Sequence, residues 1–208
     1  MDTLKITSWM GQAPASINSS IPFHSPFDGR LLAEVFPSDA MDVVKALGAA
    51  KKSMESWAST SHEEKALVLE GMANTLEAHL DSFAREIAEF EGWSLSFAKA
   101  HLVEPVASLF KKTIAELRSA GAGETLQPTG LLTLVLPGVA SFRVLGERLI
   151  PALAAGNVVL VKISMRSPGT LPLWQKILES SSLPEGVVSL LIGKGAEIGD
   201  LMVRHPSV

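Results

Sequence analysis

Pro151-Ala-Leu-Ala-Ala-Gly-Asn-Val-Val-Leu-Val-Lys162 decides the fold. It reads as the end of a helix, a Gly-Asn turn, and a strand buried on both faces that delivers a lysine to its carboxyl end. The apolar run at 158–163 has two companions of strand length, Gly130-Leu-Leu-Thr-Leu-Val-Leu136 and residues 187–192. Between them lie helical stretches near 142–153 and 170–180. Strand, helix, strand, helix, strand at this interval implies a parallel sheet with right-handed crossovers, because parallel neighbours need a long return connection. A last helix, about 196–204, follows the third strand. The series is half of a doubly wound fold, in which ligands sit at the carboxyl edge of the sheet. It stops at Pro206-Ser-Val208, where another strand would ordinarily begin, and so reads as truncated.

The preceding half has a different period. From about Ser38 to Ala120 apolar residues recur at helical spacing: Val43, Val44, Leu47 and Met54; Leu67, Leu69, Met72 and Leu76; Phe83, Ile87 and Phe90; Leu102, Val106, Leu109 and Ile114. Ser38-Asp39 and Ser61-His-Glu-Glu64 supply a cap and a capping box, while Gly92 and Gly121 fall at helix ends. Arg30-Leu-Leu-Ala-Glu-Val-Phe36 reads as a strand entered from the turn Ser25-Pro-Phe-Asp-Gly29. The expected class is α/β, a helical N-terminal region packed on a partial doubly wound, Rossmann-like parallel sheet. Residues 1–122 hold the first strand and the helices, residues 123–208 the βαβαβα region, and the two form one structural unit.

Composition narrows the function. A chain of 208 residues, 47% hydrophobic and 19% charged, suits one or two packed domains. Its net charge of −4, with no long basic run, leaves no footprint for nucleic acid or an anionic membrane surface. No apolar stretch approaches the roughly 20 residues of a membrane span. Residues 1–10 are too polar for a signal peptide, so the expected compartment is the cytoplasm. The chain has no cysteine, which removes disulfides, zinc–thiolate sites and thiol chemistry. His24, His62, His79, His101 and His205 show no metal-ligand spacing and read as structural or surface residues. Glu86, Glu89 and Glu91 precede a helix-ending glycine and read as a solvated helix face.

Three features carry candidate chemistry. Gly193-Lys-Gly195-Ala-Glu-Ile-Gly199 follows a strand and opens a helix, where backbone N–H groups and the helix dipole can hold a phosphate. Its spacing is one residue longer than the common dinucleotide fingerprint, and a strand-to-helix turn uses glycine in any case. Lys162 ends a buried strand, where an ammonium can pair with a ribose or phosphate group, or extend into solvent. Pro137-Gly138 turns the chain after the first strand and is placed to line a site, although chain reversal alone accounts for it. Ser167 is expected to cap the next helix, with Pro168 in its first turn.

Four stretches, in order, resemble landmarks of the aldehyde dehydrogenase superfamily. They are the segment Ser25-Pro-Phe-Asp-Gly29 through Val35, the helical region ending Ile87-Ala-Glu-Phe-Glu-Gly92, the run from Pro151 to Lys162, and Leu183-Pro-Glu-Gly-Val-Val188 leading to Gly193–Gly199 and His205-Pro206. The resemblance implies NAD or NADP bound across the sheet. Lys162 would hold the adenosine ribose, and Leu136, Pro137, Gly138, Ser164, Met165, Gly195 and Gly199 would line the cofactor. It also implies attack on an aldehyde by a cysteine thiolate, hydride transfer to nicotinamide, and hydrolysis helped by a glutamate. In the family both residues come after the His-Pro landmark.

Three departures stand out. Where the family reads Pro-Trp-Asn-Phe-Pro, this chain has Pro137-Gly-Val-Ala-Ser141, so Val139 replaces an oxyanion-stabilising amide. Met165 replaces a glutamate that bonds the ribose hydroxyls. The segment from Ala120 to Gly130 is shorter than the family's oligomerisation hairpin. The expected function is therefore the N-terminal cofactor-binding part of an NAD(P)-dependent oxidoreductase that oxidises an aldehyde or reduces an acyl group, without competence alone. The alternative is a non-catalytic relative acting as a nucleotide- or protein-binding module. An unpaired sheet edge offers a route to oligomers.

Overall fold

The computed structural model describes residues 3–11, 19–120 and 127–205. Two three-stranded sheets are present among the described residues. The first contains β1 (Leu4–Ile6), β2 (Ile21–His24) and β3 (Leu31–Val35), with β3 central, parallel to β1 and antiparallel to β2. The second contains β4 (Leu131–Val135), β5 (Val158–Ser164) and β6 (Val188–Gly193), all parallel, in the order β4-β5-β6. The α/β class and the parallel sheet are as the sequence predicts. β1 and β2 were outside that expectation, because strands this short exist only by pairing with β3.

The helices are α1 (Ala40–Ser59), α2 (His62–Ala78), α3 (Leu80–Glu91), α4 (Leu95–Phe97), α5 (Glu104–Ser119), α6 (Ser141–Ala154), α7 (Thr170–Glu179) and α8 (Asp200–Arg204). A π-helical segment, Ala98–Val103, joins α4 to α5. The capping signals act as read. Asp39 accepts from the N–H of Asp42, which returns a bond to Asp39, and Ser61 and Glu64 form the second box. Gly92 ends α3 at φ 77°. Gly29 closes the expected turn onto the Ser25 carbonyl at 3.0 Å. Gly121 lies outside the described residues, as does most of the 120–130 segment.

β5 is buried on both faces, with α1 against one and α6 against the other. α1 runs antiparallel to the strands. Ser38, just before it, donates to the Ile192 carbonyl at the carboxyl end of β6, while Ala49 meets Gly186 and Ala58 meets Gly156 at the amino ends. Lys65, 3% exposed, lies against Gly156 beside Ala58, at the negative carboxyl ends of α1 and α6, and burial lowers its pKa. A single hydrophobic cluster joins both halves of the chain. Its aromatic centre is a relay in which Phe83 meets Phe142 edge-on at 6.0 Å and Phe142 meets Trp174 at 5.3 Å.

The sheet edges are unequal. Trp9 pairs with Leu190 through two backbone hydrogen bonds of 2.8 and 2.7 Å, and Ser8 Oγ accepts the Ile192 N–H at 3.1 Å, so β6 is covered. β4 has no strand partner beyond β5 among the described residues, and Val135 on it is 50% exposed.

Candidate functional site

Lys162 stands in register with Val135 of β4 and Leu191 of β6, two residues from the carboxyl end of β5. It does not extend into solvent: 6% of the residue is exposed. Its ammonium has no hydrogen bond or ion pair with any described residue, and burial lowers its pKa. An ammonium this far desolvated, with no protein partner among the described residues, is favoured by a ligand that supplies an acceptor.

The neighbouring turns are tightly set. Leu136 extends the ladder past β4, its N–H donating to the Lys162 carbonyl at 2.9 Å. Pro137 is exposed, and its carbonyl accepts the Ser141 hydroxyl at 2.5 Å. Gly138 faces Arg166 so closely that a Cβ would lie 2.9 Å from the arginine Cβ. Ser164 Oγ accepts the Arg166 N–H at 3.2 Å, while Met165 is half-buried against the core. The Met165 thioether thus packs inward.

The glycine turn departs from the single helix expected at 196–204. Residues Gly195–Gly199 wind as a π-turn, with the N–H groups of Glu197 and Ile198 both directed to the Lys194 carbonyl, and α8 begins only at Asp200. Gly193 is confined by Ile198, but a Cβ on Gly195 or Gly199 would meet nothing within 4 Å. The protein's own packing does not demand glycine at these two positions. That open space, together with the unpartnered ammonium of Lys162, fits the close approach of a phosphorylated ligand.

Two readings of side chains are corrected. Ser167 does not cap α7: the N-cap is Gly169 without a side-chain bond, and the Ser167 hydroxyl contacts Glu91 and Thr170. The acidic run is not a solvated face. Glu86 is half-buried with its pKa raised by burial, Glu89 pairs with Arg30, and Glu91 bonds the turns at the sheet's carboxyl edge. Trp93 is its one near partner; the two turns that Glu91 joins lie 49 and 76 residues away, so no local pattern announces that role. Among the described residues no group of three acidic, histidine or cysteine side chains is arranged to hold a metal. No described helix is long and apolar enough to cross a membrane.

The family model for "Aldehyde dehydrogenase family" matches residues 12–208. The chain belongs to the aldehyde dehydrogenase family. It is 29% identical to the 3,6-anhydro-α-L-galactose dehydrogenase of Streptomyces coelicolor over 96% of its own length and 44% of that protein's. It is 27% identical to the 2-aminomuconic semialdehyde dehydrogenase of Mus musculus over 100% of its length and 45% of that protein's. The chain thus spans less than half the length of these curated aldehyde dehydrogenases. An aldehyde dehydrogenase C mutant from Pseudomonas syringae, solved with NAD+ and octanal, superposes with a TM-score of 0.88 at 27% identity, over 98% of this chain and 44% of that one. The betaine aldehyde dehydrogenase of Staphylococcus aureus, solved with NAD+, shares the fold at a TM-score of 0.89 and 22% identity. NAD(P) is the cofactor of the family, and this chain matches the family's N-terminal region.

Proposed function

We propose that this chain binds NAD or NADP at the carboxyl edge of β4, β5 and β6, as the cofactor part of an oxidoreductase that oxidises an aldehyde or reduces an acyl group. The observation that carries this reading is Lys162, a largely buried lysine whose ammonium has no partner among the described residues, beside a glycine turn with open space. In this arrangement Lys162 grips the adenosine ribose or its phosphate. Leu136, Pro137 and Gly138 form one wall, Ser164 and Met165 another, and the turn from Gly195 to Gly199 approaches the pyrophosphate. When bound, the nicotinamide accepts or donates a hydride. Residues 1–122 and 123–208 act as one unit in this reading, in the cytoplasm, and the open edge of β4 is where a second copy would add.

Calorimetric titration with NAD and NADP tests it. Lys162→Met is expected to weaken binding about 10- to 100-fold, the loss of one charge-assisted hydrogen bond. The pH dependence has a definite sign. Because burial lowers the Lys162 pKa, the ammonium discharges at a lower pH than an ordinary lysine, so affinity should fall as pH rises into the alkaline range. Lys162→Met should lose that dependence. Absence of binding by the wild-type chain at millimolar nucleotide would overturn the reading. It would leave the second one, a non-catalytic relative that binds a protein, which the Val139 and Met165 replacements favour.

A further inference from the structure

Glu91 is the last residue of α3, and its half-buried carboxylate collects three donors. Oε2 accepts the backbone N–H of Ala140 at 2.7 Å and the indole N–H of Trp93 at 3.0 Å, while Oε1 accepts the Ser167 hydroxyl. Ala140 belongs to the loop between β4 and α6, and Ser167 to the turn between β5 and α7. One side chain from the N-terminal helices therefore holds both connections that leave the sheet beside Lys162.

The residues around Glu91 show how closely this junction is specified. Ala140 has φ 53°, the one non-glycine in the left-handed region among the described residues, and it begins α6 without a side-chain cap. Alanine stays in that conformation only where its surroundings hold it, and the hydrogen bond from its N–H to Glu91 does so. Phe90 packs on Gly169 so tightly that a Cβ there would lie 2.5 Å from the phenylalanine Cγ. The end of α3 is thus fitted against both turns at once.

We propose that Glu91 is a positioning residue of the cofactor edge: its carboxylate sets the placement of residues 137–140 relative to residues 164–169, and so the span across which a dinucleotide meets Lys162. The inference rests on the cofactor-binding reading. Hydrogen bonds to a carboxylate are short and directional, and two acceptors on one rigid group fix both loops in one frame.

Three variants test it: Glu91→Ala, Glu91→Gln, and Glu91→Ala combined with Ala140→Gly. Glutamine keeps a carbonyl oxygen for the two N–H donors and can donate its amide to Ser167, whose hydroxyl then turns to Thr170 Oγ1, now 3.2 Å away. At a temperature where every variant is folded by circular dichroism, Glu91→Ala should weaken NAD or NADP binding at least tenfold, and Glu91→Gln by less than about threefold. The added glycine, which adopts the left-handed conformation without support, should recover much of the loss. Independently of ligand, hydrogen exchange should quicken at residues 137–140 and 164–169 together in Glu91→Ala but not in Glu91→Gln, and the Trp93 indole resonance should move. Should Glu91→Ala not fold, Ser167→Ala, which removes the hydroxyl's bonds to Glu91 and Thr170 but leaves those of Glu91 to Ala140 and Trp93, should quicken exchange at residues 164–169 and weaken binding. A lower melting temperature with unchanged affinity and unchanged exchange in both loops would overturn the inference. If the wild-type chain binds neither nucleotide, the cofactor reading fails, and exchange alone decides whether Glu91 sets the two loops.

Discussion

Supplied with an aldehyde and either NAD or NADP, this chain is expected to form no reduced cofactor above an enzyme-free blank. The covalent route of the family needs a thiolate, and none of the 208 residues is a cysteine. Removing the nucleophile from an enzyme that works through a covalent intermediate typically costs on the order of 10⁶ in rate. The hydroxyls at the sheet's carboxyl edge offer no substitute. Ser141 donates to the Pro137 carbonyl, Ser164 accepts from the Arg166 N–H, and Ser167 is engaged by Glu91 and Thr170. None of the three shares a hydrogen bond with a histidine that could act as its base. Val139, half-exposed, also lacks the amide that would stabilise an oxyanion, itself worth about 3 to 4 kcal/mol of transition-state binding. Steady-state assays across short and long aldehydes check this. Turnover in a preparation freed of contaminating dehydrogenase would show that another group here serves as nucleophile.

Gly186→Ala is expected to produce the largest loss of stability. A Cβ at this position would lie 2.6 Å from the Ala49 carbonyl oxygen and 3.2 Å from Ser53 Oγ, and Gly186 sits at φ 85°. The first obstacle is backbone in the middle of α1, which cannot turn aside as a side chain would. Relief requires α1 to lift from the sheet it covers. Left-handed strain of about 1 to 2 kcal/mol and overpacking of about 1 to 3 kcal/mol together imply a fall in Tm on the order of 10 °C. Gly195→Ala is the matched control, because a Cβ there meets nothing within 4 Å. It should leave Tm within about 2 °C of the parent, while crowding the proposed pyrophosphate position and weakening nucleotide binding. Thermal melts of both variants decide the matter; an unshifted Gly186→Ala would mean that α1 does not press on this turn.

These contrasts show why part of the candidate site was legible before the structure and part was not. The strand ending at Lys162, the turn at Pro137-Gly138 and the glycine turn at 193–199 are announced by local chemistry. Continuous apolar runs mark strands covered on both faces, and glycine and proline mark the reversals between them. The capping boxes at Asp39 and Ser61 are equally local, being satisfied within one turn of helix. Ser167 looked like a cap by the same logic. It failed as one because the distant carboxylate of Glu91 takes its hydroxyl while Pro168-Gly169 delays the helix to Thr170. The glycine turn was placed correctly but wound differently: its N–H groups converge on the single Lys194 carbonyl rather than opening an α-helix.

Periodicity and punctuation in the sequence, with its composition, by themselves determined the order of strands and helices from Gly130 onward, the parallel sheet and its carboxyl edge, and the absence of any thiol. Each of these depends on residues near one another in the chain, or on composition alone. Tertiary structure alone decided that, among the described residues, Lys162 is largely buried without a partner and Trp9 and Ser8 cover β6 while β4 has no second strand partner, and that Glu91 joins two turns 49 and 76 residues away. The physical reason is common to all three. Burial, edge pairing and hydrogen bonding across the chain depend on which surfaces meet once the core has closed, and no local pattern encodes that meeting.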